Sequence, residues 1–221
     1  MEEVQENFIE NNDDVSIVTK TFANLFSYLF HPLFIPLYLT LFLLYIHPSA
    51  FAGFSAFEKK QTAFIVALNL LFFPLMSVLL LKAVGFIDSL FLKTQKDRII
   101  PFIACGIFFF WAYTVFKEQP QYPRILVSYI FGIFLASSAA LLANIYFKVS
   151  MHAIGVGGLL GSFFILFYTN SMQMTWPLCA VLLITGLACT SRLILKAHRP
   201  FDVYGGLLIG IISQLAAAYI V

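Results

Sequence analysis

The sequence predicts an all-α integral membrane protein, a bundle of about six to seven transmembrane helices. Composition is the first reason: of 221 residues, 61% are hydrophobic and 11% charged, whereas soluble domains carry about a quarter of their residues as charges. Mean hydropathy is +0.90. The second reason is that apolar runs of bilayer-crossing length recur along the chain, and a crossing helix needs about 20 such residues. In lipid a segment must satisfy its own backbone hydrogen bonds, which helices do.

The first twenty residues, MEEVQENFIENNDDVSIVTK, are acidic and polar. That is the reverse of a basic leader followed by an apolar core, so residues 1–20 are expected to form a flexible or surface-lying tail. Residues 21–221 then make a single membrane domain. Its expected crossings are the runs 22–46, 62–84, 99–116, 124–147, 152–168, 174–195 and 203–221. The first contains His31-Pro32 and Pro36, which kink it or turn its start into an interfacial segment. His31 and His47 each precede a proline and are read as helix ends. The loops are short, so no soluble domain is inserted, and no repeat is visible.

Gly157 and Gly161 lie four apart, as do Gly206 and Gly210, a spacing that lets two helix backbones approach closely. Cys105, Cys179 and Cys189 fall inside apolar runs without metal-ligand spacing and are expected to be small buried apolar side chains. The net charge of +2 gives no reason to expect a nucleic-acid partner. Polar residues inside the runs, such as Asn69, Asn144 and Gln214, are too few for a conducting path.

Three polar clusters interrupt the apolar pattern: KTQKDRIIP (93–101), KVSMHAIG (148–155) and TSRLILKAHRPFDVYGGLLIG (190–210). Charges at a membrane boundary are costly unless they face water, one another or a ligand. Counting crossings puts all three clusters on the side that holds the N-terminus. The 46 positions from His152 to His198 match two crossings with tight loops, which returns both imidazoles to one face. Lys117 and Arg124 fall on the other side and are set aside.

Together these groups suit phosphoryl transfer. A neutral imidazole can attack phosphorus when a carboxylate fixes its tautomer and stabilises the developing positive charge. A second imidazole, protonated, can hand a proton to the leaving oxygen. Guanidinium groups match phosphate oxygens in pairs, and a hydroxyl such as that of Ser150, with N–H groups at a helix start, completes a cradle. The carboxylate clusters that hold magnesium are absent from the sequence, so no metal is expected.

Ser191-Arg192, five residues, His198, three residues and Asp202 resembles the third signature, SRx5HxxxD, of the type 2 phosphatidic acid phosphatase (PAP2) superfamily. The second signature of that family, PSGH, corresponds to Val149-Ser150-Met151-His152. The first, Kx6RP, keeps Lys93 and Pro101 at their outer spacing with the arginine at Arg98. The resemblance is carried by residues 148–221. It implies a PAP2-like helical bundle, no cofactor, and a membrane phosphatase acting on a lipid phosphate or lipid pyrophosphate through a phosphohistidine. Residue by residue, it implies His198 as nucleophile, Asp202 as its orienting partner and His152 as general acid. It further implies Arg192 and Ser150 as phosphate ligands, joined by Arg98, Lys96 and Lys93. The implied partners are a lipid phosphate substrate and membrane lipids, and the implied location is the bacterial inner (cytoplasmic) membrane. The alternative is a degenerate PAP2-like protein that binds anionic lipid or a partner without hydrolysis. From the residues alone, Pro200 is a natural first residue for the last helix, with His198 just before it and Asp202 in its first turn.

Overall fold

A computed structural model describes residues 15–47, 49–90, 92, 94–169 and 174–221. All regular structure among them is helical. Six helices are long and apolar enough to cross a membrane: α3 (Ala56–Ala83), α4 (Gln95–Lys117), α5 (Arg124–Ala143), α6 (Met151–Thr169), α7 (Thr175–Ile194) and α8 (Pro200–Ile220). Two shorter ones precede them, α1 (Ile17–Leu29) and α2 (Ile35–Tyr45).

The first expected crossing is therefore not one helix. Pro32 lacks the N–H a continuing helix needs and disfavours the helical conformation at His31, so α1 stops at Leu29 and the chain turns before α2. The turn is tied across itself: Tyr38 donates from its hydroxyl to the Leu29 carbonyl at 2.8 Å. Part of the expected tail is also helical, because Ser16 caps α1 by accepting from the Thr19 N–H at 3.2 Å. Residues 1–14 of that tail lie outside the described residues.

Local chemistry sets the other starts. Ser55 and Glu58 form a reciprocal capping box on α3, and Thr94 and Asp97 form another on α4, each satisfying two otherwise orphaned donors. Within α3, residues Leu68–Phe72 widen into a π turn immediately before Phe73-Pro74. The extra residue relieves the clash between a mid-helix proline ring and the preceding turn.

α6 and α8 form the most extensively packed helix pair, and the four glycines are the reason. A Cβ on Gly210 would collide with the Ile154 carbonyl oxygen, and one on Gly206 would sit 2.8 Å from the Ser150 carbonyl oxygen. Lipid offers no hydrophobic drive for helices to associate, so close backbone approach supplies the packing instead. α5 leans on the same pair, where Gln214 of α8 donates to the Tyr129 carbonyl at 3.3 Å. The cysteines depart from expectation: Cys179 is exposed, and Cys105 and Cys189 are half-buried. On the outer surface of a membrane bundle an apolar side chain loses nothing by facing lipid.

Candidate active site

The three polar clusters meet at one end of the bundle, stitched by long-range hydrogen bonds. Gln95 and Asn144 exchange side-chain-to-backbone bonds at 2.7 and 2.8 Å, joining the start of α4 to the end of α5. Arg98 donates from a terminal nitrogen to the Val149 carbonyl at 2.6 Å and from Nε to the Leu92 carbonyl at 2.9 Å. The Ser150 N–H donates to the Asp202 carbonyl at 3.1 Å, locking the start of α6 to the start of α8. Lys117, at the far end of α4, lies about 28 Å along the helix from Arg98 at 1.5 Å per residue.

His198 sits in the connection between α7 and α8, its side chain 4% exposed. α7 ends with Lys196 in the left-handed region at φ 49°, while the Lys196 and Ala197 N–H groups bond back to the Leu193 and Arg192 carbonyls. This reversal turns the chain so that Pro200 can open α8. His198 Nδ1 lies 3.1 Å from the Lys148 carbonyl oxygen and 3.8 Å from Asp202 Oδ2. A carbonyl only accepts, so Nδ1 carries the proton and the neutral ring keeps its lone pair on Nε2. The carbonyl fixes the tautomer. Asp202 adds negative charge beside the ring while its Oδ2 accepts the Arg199 N–H at 3.1 Å.

The charges around this imidazole are unbalanced. Arg98, Arg192 and Lys148 all act on His198, and together with burial they push its pKa down to about 4. Burial is the larger cause. Lys148 is lowered as well, first by burial and then by Arg98 and Arg192, with only Asp202 opposing. Three cations thus converge on the imidazole, and Asp202 is the buried carboxylate that acts on two of them, Arg98 and Lys148. Asp97, the other acid within reach of Arg98, is engaged in capping α4. Arg98 is 3% exposed, and the Nε of Arg192 is buried with no hydrogen-bond partner among the described residues. Buried guanidinium groups in excess of carboxylates are chemistry that can hold an anion, and their paired N–H donors match the geometry of phosphate oxygens.

The second histidine joins from α6. His152 interacts electrostatically with His198, Arg192 and His31. Its Nε2 meets the Ser27 carbonyl oxygen at 3.1 Å, and Arg192 donates to the Ser27 hydroxyl at 3.0 Å. Ser150, fully buried, caps α6 by accepting from the Ala153 N–H at 3.4 Å. Of the remaining expected phosphate ligands, Lys96 is exposed on the first turn of α4, on a different side of that turn from Arg98, and Lys93 lies outside the described residues.

Two contributors are not among the residues the sequence motifs select. Ser27 comes from α1, and nothing in the sequence marks it. His31 stands edge-on to His152, with ring centroids 5.1 Å apart. Its signal was present in the His-Pro pair that breaks the first run, but it reads equally well as a helix end. A third contribution, the Lys148 carbonyl, is backbone and carries no sequence signal. Comparison with protein-family models, curated proteins and solved structures finds no match to this chain.

Proposed function

We propose that this protein is a membrane phosphohydrolase that removes phosphate from a lipid phosphate or lipid pyrophosphate through a phosphohistidine on His198, located in the bacterial inner membrane as the PAP2 resemblance implies. The observation that carries the reading is the convergence of Arg98, Arg192 and Lys148 on an imidazole whose Nδ1 proton is held by a carbonyl. In the first step His198 Nε2 attacks phosphorus. The N–P bond forms as the bond from phosphorus to the lipid oxygen breaks, and His152 supplies the proton that the leaving oxygen takes up. Water then attacks phosphorus with His152 accepting its proton, which releases phosphate and restores Nε2. Arg98 and Arg192 offset the charge that spreads over the equatorial oxygens, and Asp202 stabilises the positively charged ring of the intermediate.

A second reading, a lipid-phosphate binder without hydrolysis, is favoured by one observation: Ser27 occupies both His152 and Arg192. The two readings separate on one measurement, phosphate release by purified protein from phosphatidate, phosphatidylglycerophosphate and prenyl pyrophosphates. Turnover that disappears in His198→Ala supports the enzyme. Retained binding of these lipids with no release, or full activity in His198→Ala, sinks it.

A further inference from the structure

A cavity of about 370 Å³ is set into the bundle, walled by α2 to α6 with Gln214 of α8 and open to the outer surface beside Leu75, Leu79 and Leu90. This volume falls within the range of pockets that take organic ligands. The backbone irregularities open it. Pro74, next to the π turn of α3, and Pro101 of α4 both line it, and Gly158 leaves the α6 wall without a side chain. Most of the wall is apolar, built from residues such as Leu70, Val78, Phe102, Ile133 and Ala136.

Arg98 is the charged group on this wall and His31 its imidazole, with Tyr129 and Cys105 the other titratable side chains that line it. Both belong equally to the polar cluster: Arg98 acts on His198, and His31 packs against His152. His31 Nδ1 accepts the Leu33 N–H at 3.3 Å, so its proton resides on Nε2 and the ring offers a donor at the junction. Cavity and polar cluster are therefore adjacent, sharing a cation and an imidazole at their border. A molecule that fits both has an anionic head and a hydrocarbon tail.

We propose that this cavity receives a hydrocarbon chain of the substrate lipid, with Arg98 and His31 marking the boundary between head and tail. The proposal rests on the hydrolase reading for the head and on the cavity for the tail. It makes the protein selective for long-chain phosphates over soluble phosphate esters, because chain burial in the wall adds binding that a short ester cannot obtain.

The test narrows the cavity at two independent places. Ala136→Phe fills its α5 wall, and Val78→Trp fills it from the half-buried outer side of α3, where misfolding is less of a risk. With protein in nanodiscs, both variants should lose tenfold or more in kcat/KM for hexadecyl phosphate while 4-nitrophenyl phosphate stays within twofold. An equal fall on both substrates, or none on hexadecyl phosphate, overturns the tail site. If the native protein cleaves neither, the hydrolase reading fails and photocrosslinking decides the tail site separately. Hexadecylphosphonate with a terminal diazirine should then label Val78, Phe102 or Ile133, and lose that labelling in Ala136→Phe. Labels confined to outward-facing Leu80 and Ile107, or equal labelling of the cavity by a diazirine hydrocarbon without the phosphonate, defeat the proposal.

Discussion

The two halves of this bundle reach the same polar cluster by opposite means. The C-terminal half, α6 to α8, brings His152 and His198 together by regularity: unbroken helices, glycines at a spacing of four, and backbone pressed on backbone. The N-terminal half, α1 to α4, contributes by interruption. Pro32 splits a crossing and delivers Ser27 and His31, while Pro74 and Pro101 border the cavity that adjoins Arg98. Close packing holds the two histidine-bearing segments in register, and broken helices leave open space beside Arg98.

Four tests put that contrast under strain. The largest effect belongs to the chemistry itself. His198→Gln should lower phosphate release by about 10³-fold or more, the scale on which nucleophile removal acts, while Arg199→Gln, whose exposed side chain lies on the next residue, stays within about threefold.

Next is the clamp. Gly210→Leu forces a side chain into the Ile154 carbonyl and should cost about 3 kcal/mol or more, read as a lowered denaturation midpoint in detergent. Gly186→Leu on α7, where a Cβ meets nothing within 4 Å, should shift that midpoint little. If the two variants behave alike, close α6–α8 packing is not what holds the site.

A smaller effect tests the interrupted half. Ser27→Ala removes the hydroxyl that positions Arg192 and should weaken orthovanadate binding about fivefold, near 1 kcal/mol. Unchanged or tighter binding would mean that α1 merely covers the site.

The smallest is electrostatic. Burial, with Arg98 and Arg192 beside it, pushes the His198 imidazole from 6.5 down to about 4, so it stays neutral where the unfolded chain takes up a proton. Its contribution to stability is complete above pH 6.5 and is lost as pH falls towards 4. The stability advantage of the native protein over His198→Gln should therefore shrink between pH 7 and pH 5. Lys148→Gln removes one of the charges holding the ring down and should raise the titration of His198 in the folded protein, seen by histidine NMR, which makes this loss smaller.

Much of this molecule was legible before any coordinates. Composition and run length alone call for a helical membrane bundle, because lipid admits so few backbone solutions. The spacing of Ser191, Arg192, His198 and Asp202, with Pro200 between them, describes a helix end, a reversal and a helix start that could be read directly. The glycine pairs likewise declared their close contact, since a missing side chain acts locally.

Tertiary structure decided what depends on groups without a sequence signature. The Lys148 carbonyl, not the Asp202 carboxylate, makes the short hydrogen bond to His198, and every residue has a carbonyl. Ser27 and His31 join His152 across more than a hundred positions, a pairing set by where a broken helix happens to turn. The cavity exists because separate helices fail to touch, and a gap between elements is written in none of them singly. Periodicity and spacing report what a segment does to itself; which segments face one another, and what space they leave, is settled only when all of them pack at once.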